Sequence, residues 1–335
     1  MSNIRIGEKG PVLLGRAILA PMSGVTDVAM RRIARRFGAS LVVSEMVASD
    51  SYVKGDEESR LRAEGEGVSP HVVQIAGRDP YWMAEAARLA EASGADVVDI
   101  NMGCPAKKVT GGYAGSALMR TPDLAHSLVA ATVAAVKIPV TLKMRLGWDD
   151  TCLNAAALAR RAEQAGVAMI TIHGRTRAQF YTGRANWAAI RAIVEAVSIP
   201  VVANGDCASA DDARAMLAAS GAAGVMIGRA AVGRPWLVGR IAAALEGLAD
   251  DEPSPAQKRD AALEHFHGLI DQMGPRVGVR HARKHLAAYA DHARPPTPGR
   301  EDPDRRRLVT SEDPREVAAL LACFFDDLDS RARAA

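Results

Sequence analysis

Up to Arg229 the hydrophobic positions of this chain fall in short apolar blocks rich in β-branched residues. Each block is followed by a polar or Gly-rich turn and then by an Ala-rich stretch with helical spacing. The blocks are Ala17–Ala20, Leu41–Ser44, His71–Ile75, Asp96–Ile100, Val140–Lys143, Met169–Ile172, Val201–Ala203 and Gly224–Ile227. Helices are predicted between them, among others over Asp79–Ser93, Thr121–Val136 and Ala208–Ser220. Strands that read as continuous apolar runs are buried on both faces, as in a parallel sheet covered by helices. Eight such runs at a spacing of roughly 25–40 residues predict an α/β fold, a (β/α)₈ TIM barrel. A doubly wound sheet stays open as the rival, because periodicity cannot show closure. Beyond Arg229 the texture changes to helix without strands, with helices predicted at Ser254–Met273, Val279–Ala290 and Arg315–Arg331. The Pro- and Arg-rich segment Arg294–Pro314 reads as a loop. The pattern divides the chain near Leu245 into a barrel domain, 1–245, and a C-terminal all-helical domain, 246–335.

Composition adjusts this picture only slightly. Hydrophobic residues make up 48% of the 335 positions and aromatics only 4%, so the core is expected to be built from small, closely packed side chains. A net charge of +3 neither demands nor excludes a nucleic-acid partner. Cys104, Cys152, Cys207 and Cys323 are scattered and form no C-x-x-C pair, which argues against a cysteine zinc site or a disulfide framework; no metal is expected. The stretch from Met1 to Pro11 has no apolar signal region and no long apolar run follows, so a soluble, cytoplasmic protein is expected, with no membrane partner.

Barrel chemistry sits at the C-terminal ends of the strands. The residues that close the eight runs are Ala20-Pro21-Met22, Glu45-Met46, Gln74, Asn101-Met-Gly-Cys104-Pro105, Lys143 with Arg145, His173-Gly-Arg175, Asn204-Gly205-Asp206 and Gly228-Arg229. Taken singly each has an ordinary explanation: Gln and Asn form turns, Lys143 snorkels, His173 is a satisfied core histidine. Together they place a ring of polar groups at one end of a barrel, which is costly unless something binds there. The last two ends have the makings of a phosphate site, with Gly-turn N–H groups and the Arg229 guanidinium. No GxGxxG fingerprint is present. Cys104 lies on a loop between Gly103 and Pro105 with Lys143 expected nearby, the setting of a reactive thiol rather than a buried hydrophobe.

The segments Leu19-Ala-Pro-Met-Ser-Gly-Val-Thr-Asp27, Ser44-Glu-Met46, Gln74-Ile-Ala-Gly77, Asp99-Ile-Asn-Met-Gly-Cys-Pro105, Lys108-Val-Thr-Gly-Gly-Tyr-Ala-Gly115, Lys143-Met-Arg145, His173-Gly-Arg-Thr-Arg177, Asn204-Gly-Asp206 and Gly228-Arg229 resemble the tRNA-dihydrouridine synthases, in their bacterial DusB-like branch. The resemblance runs from about Arg16 to Gly239. It implies an FMN-dependent oxidoreductase that reduces the C5–C6 double bond of uridine in tRNA, with NADPH or NADH as reductant. It further implies that Ala20, Pro21 and Met22 lie under the flavin and that Gln74 and Lys143 hydrogen-bond it. Asn204, Gly205, Asp206, Gly228 and Arg229 would hold its phosphate, with His173 close by. Cys104 would be the catalytic acid. Asn101, Arg145, Arg175, Arg177 and Tyr181 would meet the substrate. The basic helix Val279-Arg-His-Ala-Arg-Lys-His285 would give Arg280, Arg283 and Lys284 to the RNA backbone.

The chemistry suits those residue types on general grounds. Hydride added at C6 of a uracil leaves charge on C5 and O4, and a thiol, protonated at neutral pH, can supply the proton C5 needs. The base must leave its stack to reach a barrel mouth. A monomer is expected, and no DNA partner. Rival readings are an FMN barrel oxidoreductase acting on a free pyrimidine, and a non-catalytic RNA-binding or regulatory barrel. A requirement for intact tRNA separates the first; Cys104 and Lys143 together argue against the second.

Overall fold

The computed structural model describes residues 3–334. An antiparallel hairpin, β1 (Asn3–Arg5) with β2 (Val12–Leu14), precedes nine parallel strands. These are β3 (Ala17–Leu19), β4 (Leu41–Val42), β5 (Met46–Ala48), β6 (Val72–Ala76), β7 (Val97–Met102), β8 (Val140–Arg145), β9 (Met169–His173), β10 (Val201–Asn204) and β11 (Gly224–Ile227). Hydrogen bonding runs β4-β3-β11-β10-β9-β8-β7-β6-β5, so the two ends of the sheet are β4 and β5, only three residues apart in sequence. Their connection completes the ring, for the Ser44 N–H donates to the Val72 carbonyl at 3.0 Å and the Ser44 hydroxyl accepts from the Gln74 N–H at 2.9 Å. The second predicted run, Leu41–Ser44, is thus the first half of one bent segment that continues as β5 across the seam, and the sheet is a closed barrel rather than a doubly wound sheet.

All eight predicted runs become strands. The Met46–Ala48 half of the second strand and the N-terminal hairpin lie outside them. The hairpin has a packing role: Ile4, Ile6 and Leu13 bury against Ile18, Leu41, Val72, Val97, Met169, Val202 and Met226. That cluster fills one end of the barrel and leaves the opposite end, where the strands finish, to polar groups. Helices between the strands pack small residues on the ring, as with Ala86, Ala87 and Ala90 of helix Pro80–Ala92, all fully buried. The 4% of aromatics thus reflects close helix–strand contact.

The C-terminal helices are longer than their pattern predicts, and one of them falls where a loop was expected. The first two predicted helices form one element, Pro255–Ala293, opened by a Ser254–Gln257 capping box and bent at Gly274 (φ 74°, ψ 160°) just before Pro275. That backbone conformation is closed to ordinary side chains, so the bend falls at the glycine. The segment Arg294–Pro314, expected as a loop, carries a helix, Pro303–Thr310. Asp302 caps it by accepting from the Asp304 and Arg305 N–H groups, and Pro303 occupies the first turn where its missing N–H costs nothing. Its pattern was hidden because a single residue, Leu308, is buried. The last helix is Pro314–Ala334.

These helices enclose a second core of Phe266, Leu269, Val279, Leu286, Tyr289, Leu308, Leu321, Phe324 and Phe325, joined by Ile33 and Trp236 from the barrel side. Trp236 lies 6.3 Å from the Tyr289 ring and 6.1 Å from Phe37. Leu286 sits in this core at 1% exposure. Truncating it in Leu286→Ala should cost about 2–5 kcal/mol, read as a lower thermal unfolding midpoint; an unchanged midpoint would mean that the cluster is not a stabilising core.

Candidate active site

Parallel strands send alternate residues inward, and at the C-terminal end of the barrel these are polar. On β7 they are Asp99 and Asn101; on β8 they are Thr141, Lys143 and Arg145. The register sets Asp99 beside both Gln74 and Thr141, Asn101 beside Lys143, and Arg145 beside His173. Hydrogen bonds follow from that register. Asp99 accepts from Gln74 Nε2 at 2.7 Å and from the Thr141 hydroxyl at 2.6 Å. Burial pushes the Asp99 carboxyl above its ordinary pKa, against those two hydrogen bonds and the Lys143 charge. With its Nε2 held there, Gln74 presents Oε1 to Asn101 Nδ2 at 2.8 Å. Asn101 Oδ1 accepts from the N–H groups of Gly103 and Cys104 at 3.2 and 3.0 Å, and so shapes the turn that carries the thiol. Ser116 fixes the far side of the turn by donating both its N–H and its hydroxyl to the Cys104 carbonyl.

A cavity of about 1190 Å³ opens at this end. Of the residues singled out in the sequence it is lined by Pro21, Met22, Gln74, Asn101, Cys104, Lys143, Arg145, His173, Tyr181 and Arg229. Lys143 donates to Asn204 Oδ1 at 3.1 Å, and an ammonium has two further N–H donors. Burial, reinforced by the neighbouring Arg145, pushes its pKa down to about 8, with Asp99 and Cys104 acting the other way. His173 is pushed down to about 2, first by burial and then by Lys143, Arg145, Arg175 and Arg229 around it. The ring is therefore neutral, which agrees with its Nε2 accepting from Arg175 Nη1 at 3.4 Å.

At the ends of β10 and β11 the main-chain N–H groups of Gly205, Asp206, Gly228 and Arg229 donate to no protein acceptor among the described residues. Unengaged amides beside a guanidinium make an anion site. Gly205 has φ 123°, and a Cβ there would stand 2.7 Å from the Ala185 Cβ. The Asp206 side chain, however, faces away from an anion's needs. It takes a bidentate pair from Arg175 (3.0 and 2.5 Å), the Ala185 N–H (2.8 Å) and Arg229 Nη2 (3.0 Å). Burial works to raise its pKa, but these donors prevail and hold the carboxyl below its ordinary value. Asp206 is a clamp for two arginines, and any phosphate contact falls to its backbone.

The substrate-contact residues separate into two groups. Tyr181 faces the cavity, with Arg145 and Arg229 over its ring at 5.5 and 5.0 Å. Arg145 lines the cavity but is 1% exposed and donates to the carbonyls of Gly103, Thr176 and Phe180, tying the thiol turn to the 175–183 loop. Arg175 corrects its expected role. It is 1% exposed and donates to the Thr182 and Gly183 carbonyls besides Asp206, so it holds the loop together and cannot reach an RNA backbone. Arg177 is half-buried, lies 4.7 Å over the Trp148 ring and is absent from the cavity wall. Of the basic helix, Arg280 and Arg283 reach Glu312 at 3.5 and 3.9 Å, while Lys284 leans over the first barrel loop at Gly24. Within the Pro- and Arg-rich segment Arg305 is paired with Asp291, Arg306 with Glu301 and Arg307 with Glu316, which reduces the basic surface the sequence suggested.

Asp99 and Thr141 escaped the reading of strand ends because they lie one pleat inside the strands. Their signal was available as a polar residue every second position in an otherwise apolar run, Asp99/Asn101 and Thr141/Lys143/Arg145.

Comparison with known proteins agrees with this geometry. Residues 18–325 match the family model described as "Dihydrouridine synthase (Dus)". A "Probable tRNA-dihydrouridine synthase" of Rhizobium leguminosarum bv. phaseoli is 55% identical, covering 91% of this chain and 94% of its own. A protein named "tRNA-dihydrouridine synthase B" in Xanthomonas campestris pv. campestris is 46% identical over 95% and 96% of the two chains. Among solved structures, an old yellow enzyme homologue from Zymomonas mobilis superposes with a TM-score of 0.52 at 15% identity, covering 76% of this chain and 95% of that one. A 2-naphthoyl-CoA reductase complex does so with 0.56 at 12% identity, covering 73% and 52%. At such identity these two speak for the barrel fold alone. The matched span, which takes in the barrel and most of the C-terminal helices, together with the relatives near half identity, shows that the chain belongs to the dihydrouridine synthase family.

Proposed function

We propose that the chain reduces the C5–C6 double bond of uridine in tRNA to 5,6-dihydrouridine, using FMN and a nicotinamide reductant, NADPH or NADH. The observation that carries this reading is the convergence of Cys104 and Lys143 on one cavity at the strand ends of a closed barrel. The donor set fits FMN. Pro21 and Met22 give an apolar bed, Lys143 has N–H donors to spare, and the amides of Gly205, Asp206, Gly228 and Arg229 await an anion. Bound FMN supplies hydride chemistry; the protein supplies position and the proton.

Pro21, Met22, Gln74, Lys143 and His173 would hold the ring system, with Ala20 behind them, fixed to β11 through its N–H. Asn204 would orient the Lys143 ammonium, and Arg229, steered by Asp206, would meet the phosphate. Cys104 would deliver its proton to C5 of the uracil from the turn that Asn101 and Arg145 hold. Asn101 has its side chain engaged at both ends, so it acts on the base through the thiol turn. Tyr181, which lines the cavity and is 44% exposed, would meet the flipped base. Residues 1–245 would form the catalytic barrel and 246–335 the RNA-binding domain, with Arg280, Arg283 and Lys284 toward the phosphate backbone. Among the described residues no helix is long and apolar enough to cross a membrane, and a monomer working in the cytoplasm suits the reading.

Two outcomes test it. Purified protein should show flavin absorbance that bleaches with NADPH under anaerobic conditions and returns on adding unmodified tRNA. In Cys104→Ala the bleaching should persist while recovery slows about 10²–10⁴-fold, the range for a positioned proton donor. Protein that is colourless and cannot be loaded with FMN would overturn the flavoenzyme reading; recovery with free uridine alone would point to the free-pyrimidine alternative. The second outcome concerns pH. Lys143 is charged below its pKa of about 8, so the rate of flavin bleaching should fall as pH rises through that value. Lys143→Met should lack this limb and be slower by about 10²-fold at pH 7. A wild-type profile flat from pH 7 to 9 would contradict a charged Lys143 in that step.

A further inference from the structure

Between the barrel and the helical core lies a buried group that the reaction above does not use. Asp27, the cap of the first barrel helix, meets His265 and His285, which come from opposite arms of the bent helix Pro255–Ala293. All three are at most 3% exposed, and one ligand atom from each lies within 4.8 Å of the others. Asp27 Oδ2 stands 3.0 Å from His265 Nε2 and 3.9 Å from His285 Nε2, and the two imidazole rings are 4.5 Å apart. His285 is 2% exposed, yet neither of its ring nitrogens has a hydrogen-bond partner. A buried imidazole unsatisfied at both nitrogens is rare, and its Nε2 points into the cluster toward the carboxylate. Outer contacts are already arranged. His265 Nδ1 is 3.0 Å from the Tyr289 hydroxyl, which leaves Nε2 for the cluster, and Asp27 Oδ1 accepts from the Met30 N–H at 3.0 Å.

We propose that Asp27, His265 and His285 form a structural site for a divalent transition-metal ion, zinc by the chemistry of its ligands. Two imidazoles and one carboxylate suit zinc and are a poor set for magnesium or calcium, which take oxygen ligands. Bonds of about 2.0–2.2 Å to a tetrahedral ion put ligand atoms about 3.4 Å apart, and the two separations from Asp27 lie on either side of that value. His281, whose ring is 6.4 Å from that of His285, lies outside the cluster, so the protein supplies three ligands. The absence of paired cysteines, which argued against zinc in the sequence, has no bearing on a histidine–aspartate site. Such an ion would fasten the first barrel loop, which carries Pro21 and Met22 into the cavity, to both arms of the long helix across its bend at Gly274.

The test is metal analysis of the untagged, full-length protein by plasma mass spectrometry, followed by cobalt substitution. The expected result is about one zinc per chain, a visible band of tetrahedral cobalt after exchange, and at least fivefold less metal in His285→Ala and in Asp27→Ala. A chelator should lower the thermal midpoint of the wild type and leave that of His285→Ala unmoved. Wild-type protein that is isolated without metal and gives no cobalt band overturns the proposal and leaves a buried Asp–His hydrogen-bond network. Wild-type metal content in both variants overturns it as well, since the ion would then sit elsewhere. The wild-type measurement stands even if a variant fails to fold, and none of these readouts depends on flavin, tRNA or turnover.

Discussion

A closed ring of parallel strands leaves no freedom over which residues face inward. Once β4 and β5 are joined through Ser44, every second side chain of every strand points to the axis, and whatever is polar there must find a partner or a ligand. The N-terminal hairpin satisfies this at one end with Ile4, Ile6 and Leu13. At the other end a single carboxylate organises the polar side chains. Asp99 engages Thr141 and Gln74, Gln74 engages Asn101, and Asn101 engages the backbone of Cys104. The thiol is thus placed by a chain of hydrogen bonds that starts deep inside the barrel, and each link lets the next be buried. Asp206 does comparable work on the opposite wall, where it secures Arg175 and Arg229 and so the loop that carries Tyr181.

This division explains the electrostatics of the cavity. Lys143, Arg145, Arg175 and Arg229 surround His173, and Asp99 and Asp206 are the carboxylates hydrogen-bonded beneath them. Burial first, and then this imbalance, lowers the pKa of Lys143 and keeps His173 neutral, and the imbalance makes the cavity receptive to electron-rich ligands. A phosphorylated cofactor that accumulates negative charge when reduced is the partner such a field favours.

Much of this was legible before any coordinates. The eight runs, their order and the polar groups at their ends follow from apolar periodicity and from where a barrel keeps its chemistry, and Cys104, Lys143, His173 and Arg229 line the cavity as that reading requires. What sequence could not supply was the burial of long cations. The resemblance sets Arg175 and Arg177 at the substrate, and only tertiary structure shows Arg175 buried within Asp206's reach and Arg177 half-buried over Trp148. The helix Pro303–Thr310 was lost for the opposite reason: with Leu308 alone inside, its pattern carries almost no hydrophobic signal. The Asp27–His265–His285 cluster spans 238 residues between its first two members, a distance at which sequence offers no local cue.

The second core also bears on how such a chain can diversify. Ile33, Phe37 and Trp236 belong to barrel elements, yet their side chains complete the packing of the C-terminal helices. Excising those helices would bare aromatic surface on the barrel, and grafting them onto a different barrel would leave them without three of their neighbours. The two halves are therefore not exchangeable modules. Substitutions that leave this seam untouched are those on exposed helix faces and in exposed loops such as 295–300.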